Sequence, residues 1–164
     1  MSTLTYPDLV ERHAHKGILI DSNILLVWTI GSFSLALIRG FKRTAAYTPR
    51  DFNLIHSLLG RFKRVVTMPG IIAEVSNLSG QLAGNIRDRF WKSYGTQICE
   101  FEEYFQRGAT ISTEGLFSKL GYTDTGIVLA ARSGHLVLTD DFRLYIELSR
   151  AGLPVINFTH LRSL

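Results

Sequence analysis

The sequence is poor in the residues that cross-link or interrupt a small fold. Its 164 residues include one cysteine, Cys99, and four prolines. A single cysteine excludes an intramolecular disulfide and any zinc site that needs two thiolates, so we expect a reducing, cytoplasmic setting. We expect Cys99 to be a small buried hydrophobic residue. Hydrophobic residues make up 46% of the chain and charged residues 20%, which is typical of one folded domain.

Several motifs of well-known chemistries are missing as well. The sequence holds no G-x-S-x-G, no phosphate-binding glycine loop and no H-E-x-x-H, which argues against the chemistries that depend on them. His13 and His15 form a weak metal-like pair that we expect to be solvated. The remaining histidines are isolated, and we expect ordinary structural roles for them: His56, His135 and His160.

No hydrophobic run is long enough to predict a membrane span. Residues 22–38 carry no charge over 17 positions, but a spanning helix needs about 20 predominantly apolar residues. The run also contains several hydroxyl, amide and glycine residues, and Asp21 precedes it directly. We therefore expect no membrane contact and a cytoplasmic location.

Positive charge is concentrated in one stretch. The net charge is +4, but residues 39–64 alone carry +6 and the other 138 residues carry −2. This stretch could contact phosphates, and an ordinary solvated face or an acidic protein partner is the alternative. The candidate nucleic-acid-binding residues are Lys42, Arg43, Lys63 and Arg64. Three aromatic residues of the stretch could stack on bases, although core packing is the stronger expectation: Tyr47, Phe52 and Phe62.

Short apolar runs alternate with helical patterns along the chain. The predicted strands are 17–20, 64–68, 135–139 and 153–157. The predicted helices are 24–38, 48–59, 69–78, 81–106 (where Gly95 is the expected point of any interruption), 123–132 and 141–151. Residues 109–122 are expected to be irregular. This alternation predicts a three-layer α/β/α fold with a central, mainly parallel sheet, in which 1–16 is an N-terminal extension and 17–164 a single domain.

Acidic residues recur where such a fold would place a site. Asp21 follows the first predicted strand, Glu74 lies in the helix after the second, and Asp140 and Asp141 follow the third. Asp124 lies at the start of another helix. Because sites in open parallel sheets form at the carboxyl ends of the strands, we expect these side chains to lie close together.

Helical periodicity places Glu74, Asp124 and Asp141 on or beside the core-facing side of their helices. Unpaired carboxylates are costly there, and a divalent cation with oxygen ligands would offset both their burial and their mutual repulsion. The alternative is that these acids are helix caps, and Asp140 in particular could cap the helix that begins at Asp141.

Taken in order, these motifs resemble the PIN domain family of metal-dependent ribonucleases. The motifs are Ile18-Leu-Ile-Asp21-Ser-Asn23-Ile-Leu25, Pro69-Gly-Ile-Ile-Ala-Glu74-Val75, Tyr122-Thr-Asp124 running into Ala130-Ala131, Leu136-Val-Leu-Thr139-Asp-Asp141-Phe142 and Leu153-Pro-Val-Ile-Asn157. The resemblance runs from about Gly17 to His160. It implies that Asp21, Glu74, Asp124 and Asp141 are the catalytic acids that hold Mg²⁺ or Mn²⁺. The residues that would support this site are Asn23, Thr139 and Asp140.

The resemblance implies metal-dependent hydrolysis of RNA, with products that carry 5′-phosphate and 3′-hydroxyl ends. It also implies a role as the toxin of a toxin–antitoxin pair, with an antitoxin or other protein as partner and with homodimers. A second hypothesis is a catalytically silent PIN-like module that binds a protein. A third is a small-molecule-binding α/β domain, although the sequence lacks any recognisable cofactor loop.

Overall fold

Five parallel strands form the centre of the fold in the computed structural model, which describes residues 5–164. The strands are β1 (Ile18–Ile20), β2 (Val65–Thr67), β3 (Glu102–Glu103), β4 (Leu136–Thr139) and β5 (Val155–Asn157). Their order across the sheet is β3-β2-β1-β4-β5. In the central register, Ile18 of β1 stands opposite Val65 of β2 and Leu136 of β4. The carboxyl ends of all five strands therefore meet at one end of the sheet.

Helices cover both faces of this sheet, which confirms the predicted three-layer α/β/α architecture. In chain order they are α1 (Tyr6–His13), α2 (Ser22–Phe33), α3 (Leu35–Gly40), α4 (Pro49–Leu59), α5 (Pro69–Ser79), α6 (Gly84–Ile98), α7 (Gly108–Ser112), α8 (Phe117–Arg132), α9 (Phe142–Arg150) and α10 (Phe158–Leu161). No helix in residues 5–164 is long and apolar enough to cross a membrane.

The core explains why the central strands are continuous apolar runs. Residues 18–20 and 136–138 are fully buried, because helices cover β1 and β4 on both faces. The apolar stretch 24–38 packs here too, but it forms two helices, since the backbone of Ser34 is extended between α2 and α3. The first four residues of the predicted N-terminal extension lie outside the described residues. Val10 of α1 is buried in the same core as the sheet.

The predicted helix over 81–106 is wrong at its C-terminal end. Helix α6 continues through Gly95, stops at Ile98, and is followed by edge strand β3. Strand β3 consists of two exposed glutamates and pairs with β2 through the backbone, as when Tyr104 N donates to the carbonyl oxygen of Thr67 at 2.9 Å. An edge strand with no apolar side chain leaves no hydrophobic pattern in the sequence.

The expectation of irregular structure over 109–122 is also wrong. Helix α7 lies in this range and α8 begins at Phe117, with a break at Gly121, whose φ is +79°. Glycine tolerates this left-handed conformation because it has no Cβ. The break separates a first turn of α8 from the segment that carries Asp124.

The expectations for the exposure of Cys99 and His13 are wrong. Cys99, expected to be buried, is exposed just beyond the end of α6. His13, expected to be solvated, is half-buried, and its Nδ1 lies 2.9 Å from the carbonyl oxygen of Gly134. This contact joins the end of α1 to the turn before β4.

Candidate metal centre

Asp21 is the buried centre of an acidic edge at the carboxyl ends of β1 and β4. Its side chain is 7% exposed and caps the N-terminus of α2. Its Oδ1 accepts a hydrogen bond from the backbone N of Ser22 at 2.7 Å, and its Oδ2 accepts one from Thr139 Oγ1 at 2.6 Å. The carboxylate is therefore fixed by the last residue of one strand and by the first residue of the next helix.

Asp141 is the cap of α9, so the expectation that Asp140 caps this helix is wrong. Asp141 has an extended backbone, and its Oδ1 accepts hydrogen bonds from the backbone N of Arg143 at 2.7 Å and of Leu144 at 3.0 Å. Its own backbone N donates to Thr139 Oγ1 at 2.9 Å. Thr139 thus joins Asp141 to Asp21 through one hydroxyl group.

Asp140 is instead held by two side chains. The hydroxyl group of Tyr47 donates to its Oδ2, and Asn23 Nδ2 lies 3.5 Å from its Oδ1. Tyr47 is buried, and the guanidinium of Arg162 lies 5.6 Å from the centre of its ring. Both oxygens of Asp140 therefore face donors of the protein itself, which suits a supporting position.

Glu74 and Asp124 extend the acidic edge to the neighbouring helices. Glu74 lies on α5, and its Oε2 accepts a hydrogen bond from Ser22 Oγ at 2.7 Å. Asp124 is half-buried on α8, whereas Glu74 and Asp141 are exposed. Of the three acids expected to face the core, only Asp124 is partly withdrawn from solvent, so the expectation is wrong for Glu74 and Asp141.

The pKa shifts show that these carboxylates affect one another. Burial raises the pKa of Asp21 to about 7, against hydrogen bonds from Thr139 and Ser22 that lower it, and the negative charges of Asp124 and Asp140 raise it further. Burial also raises the pKa of Asp124 to about 6. The charges of Asp141 and Glu74 add to that shift, while Arg143 opposes it. Each of the other three acids thus lies near enough to Asp21 or Asp124 to raise its pKa.

The chemistry of this site suits a hard divalent cation. Within residues 5–164, no three His, Cys, Asp or Glu side chains stand close enough together to hold a metal ion without moving. The donor set nevertheless fits Mg²⁺ or Mn²⁺, because it offers carboxylate oxygens and because burial and neighbouring carboxylates disfavour the charged forms of two of its members, Asp21 and Asp124. Each Asp21 oxygen accepts a single hydrogen bond and keeps a lone pair for a cation.

Ser22, Tyr47 and Arg143 contribute to the site without having been predicted from the sequence. Ser22 stands directly beside Asp21, and its hydroxyl group and position next to a strand end could have identified it. Tyr47 and its hydrogen-bond partner Asp140 are 93 residues apart in the sequence, so no local pattern indicates this contact. Arg143 follows Asp141 by two residues, and its charge lowers the pKa of Asp124.

The structure does not bring the predicted nucleic-acid-binding residues to the acidic edge. Lys63 and Arg64 precede β2 and so lie at the amino end of the sheet, where Arg64 Nη1 is 3.2 Å from Glu102 Oε2. Lys42 is exposed near Arg43, whose Nε donates to Gln81 Oε1 at 3.0 Å, beyond the far end of α5. All four are exposed, and none of their side chains is hydrogen-bonded to or paired with one of the five acids.

The three aromatic residues of the basic stretch pack against the rest of the protein, which was the stronger expectation for them. Tyr47 and Phe62 are buried in the core. Phe52 is half-buried and stacks on His56, with ring centroids 5.7 Å apart. These rings are therefore not available to stack on bases.

No family model and no curated protein matches the sequence. The acidic edge is therefore the feature of the chain that indicates a function.

Proposed function

We propose that the protein is a divalent-metal-dependent nuclease of the PIN type, which hydrolyses RNA phosphodiester bonds. The observation that carries this proposal is the placement of the acids at the carboxyl ends of parallel strands, where Ser22, the neighbour of Asp21, donates to Glu74 and Thr139 joins Asp21 to Asp141. Sites in open α/β sheets form at this end. Perturbed carboxyl groups in such a position are typical of functional sites.

In this proposal the four carboxylates hold one or two Mg²⁺ or Mn²⁺ ions. When bound, such an ion supplies Lewis-acid stabilisation of phosphoryl charge and lowers the pKa of a bound water. Water is then the nucleophile, so the site needs no serine, cysteine or histidine for that role. The absence of the hydrolase and protease motifs from the sequence agrees with this chemistry.

The surrounding residues orient the carboxylates. Ser22 Oγ fixes one oxygen of Glu74, and Thr139 Oγ1 fixes one oxygen of Asp21 while it accepts from the backbone of Asp141. The N-termini of α2 and α9 point toward the same edge and stabilise negative charge there. Tyr47 and Asn23 hold Asp140, so this fifth acid is kept in place beside Asp21.

The test is cleavage of single-stranded RNA by purified protein in Mn²⁺ or Mg²⁺, with a parallel reaction in EDTA. We expect fragments with 5′-phosphate and 3′-hydroxyl ends in the presence of metal and none in EDTA. Cleavage that continues unchanged in EDTA would contradict the proposal. Failure to cleave any RNA or DNA in either metal would favour the catalytically silent interaction module.

A further inference from the structure

Exposed aromatic rings concentrate at the end of the sheet that carries the acids. Among residues 5–164, the exposed large hydrophobic side chains are Leu35, Trp91, Phe105, Tyr122, Phe142 and Leu164. Phe105 lies two residues beyond the end of β3, Tyr122 lies near the start of α8, and Phe142 begins α9. Three of the four aromatic members of this set are thus placed near that end: Phe105 after β3, Phe142 at the start of α9, and Tyr122 directly after the break in α8 at Gly121.

Tyr122 stands on the Glu74 side of the acidic edge. Its side chain is 46% exposed and lies two residues before Asp124. A Cβ atom added to Gly70 would stand 3.7 Å from its Cε1, so the ring lies against the first turn of α5. Gly70 and Glu74 are one helical turn apart on the same face of α5. The ring is therefore about one turn of helix from a candidate metal ligand.

Phe142 stands on the opposite side, directly after Asp141. Its side chain is 61% exposed, and its ring centroid is 6.2 Å from that of Tyr145. Arg143 is the next residue, and it is close enough to the acids for its charge to lower the pKa of Asp124. An exposed ring and an exposed cation thus adjoin the carboxylates on this side.

These positions suit an occupant that offers both flat apolar faces and negative charge. An acidic edge repels a phosphate backbone, and two of the predicted basic residues already bind partners elsewhere, Arg43 to Gln81 and Arg64 to Glu102. Stacking of a base on an aromatic ring supplies attraction that does not depend on backbone charge, about 1–3 kcal/mol per base. Bases in a duplex are already stacked and paired, so these rings would engage unpaired nucleotides.

We infer that Tyr122 and Phe142 form a base-stacking surface on either side of the acidic edge and bind unpaired bases that flank the phosphate at the carboxylates. This inference rests on the proposed nuclease function. Arg143, whose Nη2 donates to the carbonyl oxygen of Lys119, adds a positive charge near the Phe142 ring and the acids. The surface makes binding depend on exposed bases as well as on phosphate charge.

The test measures binding in EDTA, so that cleavage does not enter the result. A short unstructured RNA that contains 2-aminopurine is titrated with the full chain, since the emission of this base changes when it stacks. We expect Tyr122→Ala and Phe142→Leu each to weaken binding about fivefold or more and to reduce the 2-aminopurine signal. Tyr122→Phe and Phe142→Tyr keep a ring and should bind as the wild type does.

Three controls separate stacking from charge and from misfolding. Trp91→Ala removes a ring that is 42% exposed at the far end of α5 and should leave RNA binding unchanged. An abasic strand keeps the phosphates but has no bases, and a duplex of the same sequence has no unpaired ones. The wild type should bind the abasic strand and the duplex weakly. Tyr122→Ala and Phe142→Leu should bind these two nucleic acids as weakly as the wild type does.

Wild-type affinity for the single strand in Tyr122→Ala and Phe142→Leu would overturn the inference, as would an equal loss on the abasic strand. Either result would leave the nuclease proposal standing if RNA is still cleaved in Mn²⁺. Conversely, ring-dependent binding without cleavage in any metal would support the stacking surface and refute the nuclease proposal.

Discussion

Asp21→Asn is expected to lower the rate of metal-dependent RNA cleavage by about three orders of magnitude. A metal ion contributes several kcal/mol of charge stabilisation in the transition state, and each 1.36 kcal/mol changes the rate tenfold. Asparagine keeps the size of Asp21 and one oxygen for the backbone of Ser22, but it removes the negative charge that would hold the ion. Asp124→Asn should have a similar effect. Single-turnover cleavage in Mn²⁺ measures both.

A matched control for this loss is Asp88→Asn. Asp88 is an exposed carboxylate on α6 that pairs only with neighbouring Arg87, at 3.2 Å. Its variant should cleave RNA at the wild-type rate within experimental error. A wild-type rate in Asp21→Asn, or an equal loss in Asp88→Asn, would show that the acidic edge is not the site of chemistry.

The same Asp21→Asn substitution is expected to stabilise the fold at neutral pH in the absence of metal. Burial raises the pKa of Asp21 from its ordinary value of 3.8 to about 7. Ionising Asp21 at neutral pH therefore takes more free energy in the folded state than in the unfolded chain. One pKa unit corresponds to about 1.36 kcal/mol, and we expect the free energy of unfolding to rise by about 2–4 kcal/mol at pH 8. Urea denaturation measures the change.

The difference in free energy of unfolding between Asp21→Asn and the wild type should grow as the pH rises. Between about pH 4 and pH 7 the folded protein binds a proton at Asp21 that the unfolded chain has lost, so wild-type stability falls as the pH rises through this range. The two proteins should therefore agree near pH 4, diverge up to about pH 7 and keep a constant difference above it. Equal stability at pH 8 would contradict the account.

The control for the stability prediction is Asp51→Asn. Asp51 is buried too, but it accepts hydrogen bonds from the backbone N and Oγ1 of Thr48 at 2.8 and 3.0 Å and lies 3.6 Å from Arg162. Its negative charge has donors and a cation around it. Asp51→Asn should therefore leave stability unchanged or lower it at every pH.

The central strands and the acids that follow them could be predicted from the sequence because both leave local patterns. Strands β1 and β4 are continuous apolar runs, since helices bury them on both faces, and Asp21 and Asp141 stand where those runs end. Helix α4 could be predicted from its own first turn, where Thr48 and Asp51 form a capping box and Pro49 is the first helical residue.

The remaining features depend on contacts between distant residues or on the backbone alone. Strand β3 holds its place through backbone pairing, and the hydrogen bond of Tyr47 to Asp140 joins segments that no periodicity connects. The basic residues of 39–64 are close in sequence, but they are spread over α3, α4 and the loops that follow these two helices. Charge clustered along a chain therefore did not predict a clustered surface.

The metal centre can be tested by calorimetric titration of Mn²⁺ into the protein near pH 6.5, in two buffers of different ionisation enthalpy. We expect binding that releases about one proton, because Asp21 and Asp124 have pKa values of about 7 and 6 and must ionise to hold a cation. Binding should be lost in Asp21→Asn and kept in Asp88→Asn. No binding at millimolar Mn²⁺, or equal binding in Asp21→Asn, would contradict a metal centre at this edge.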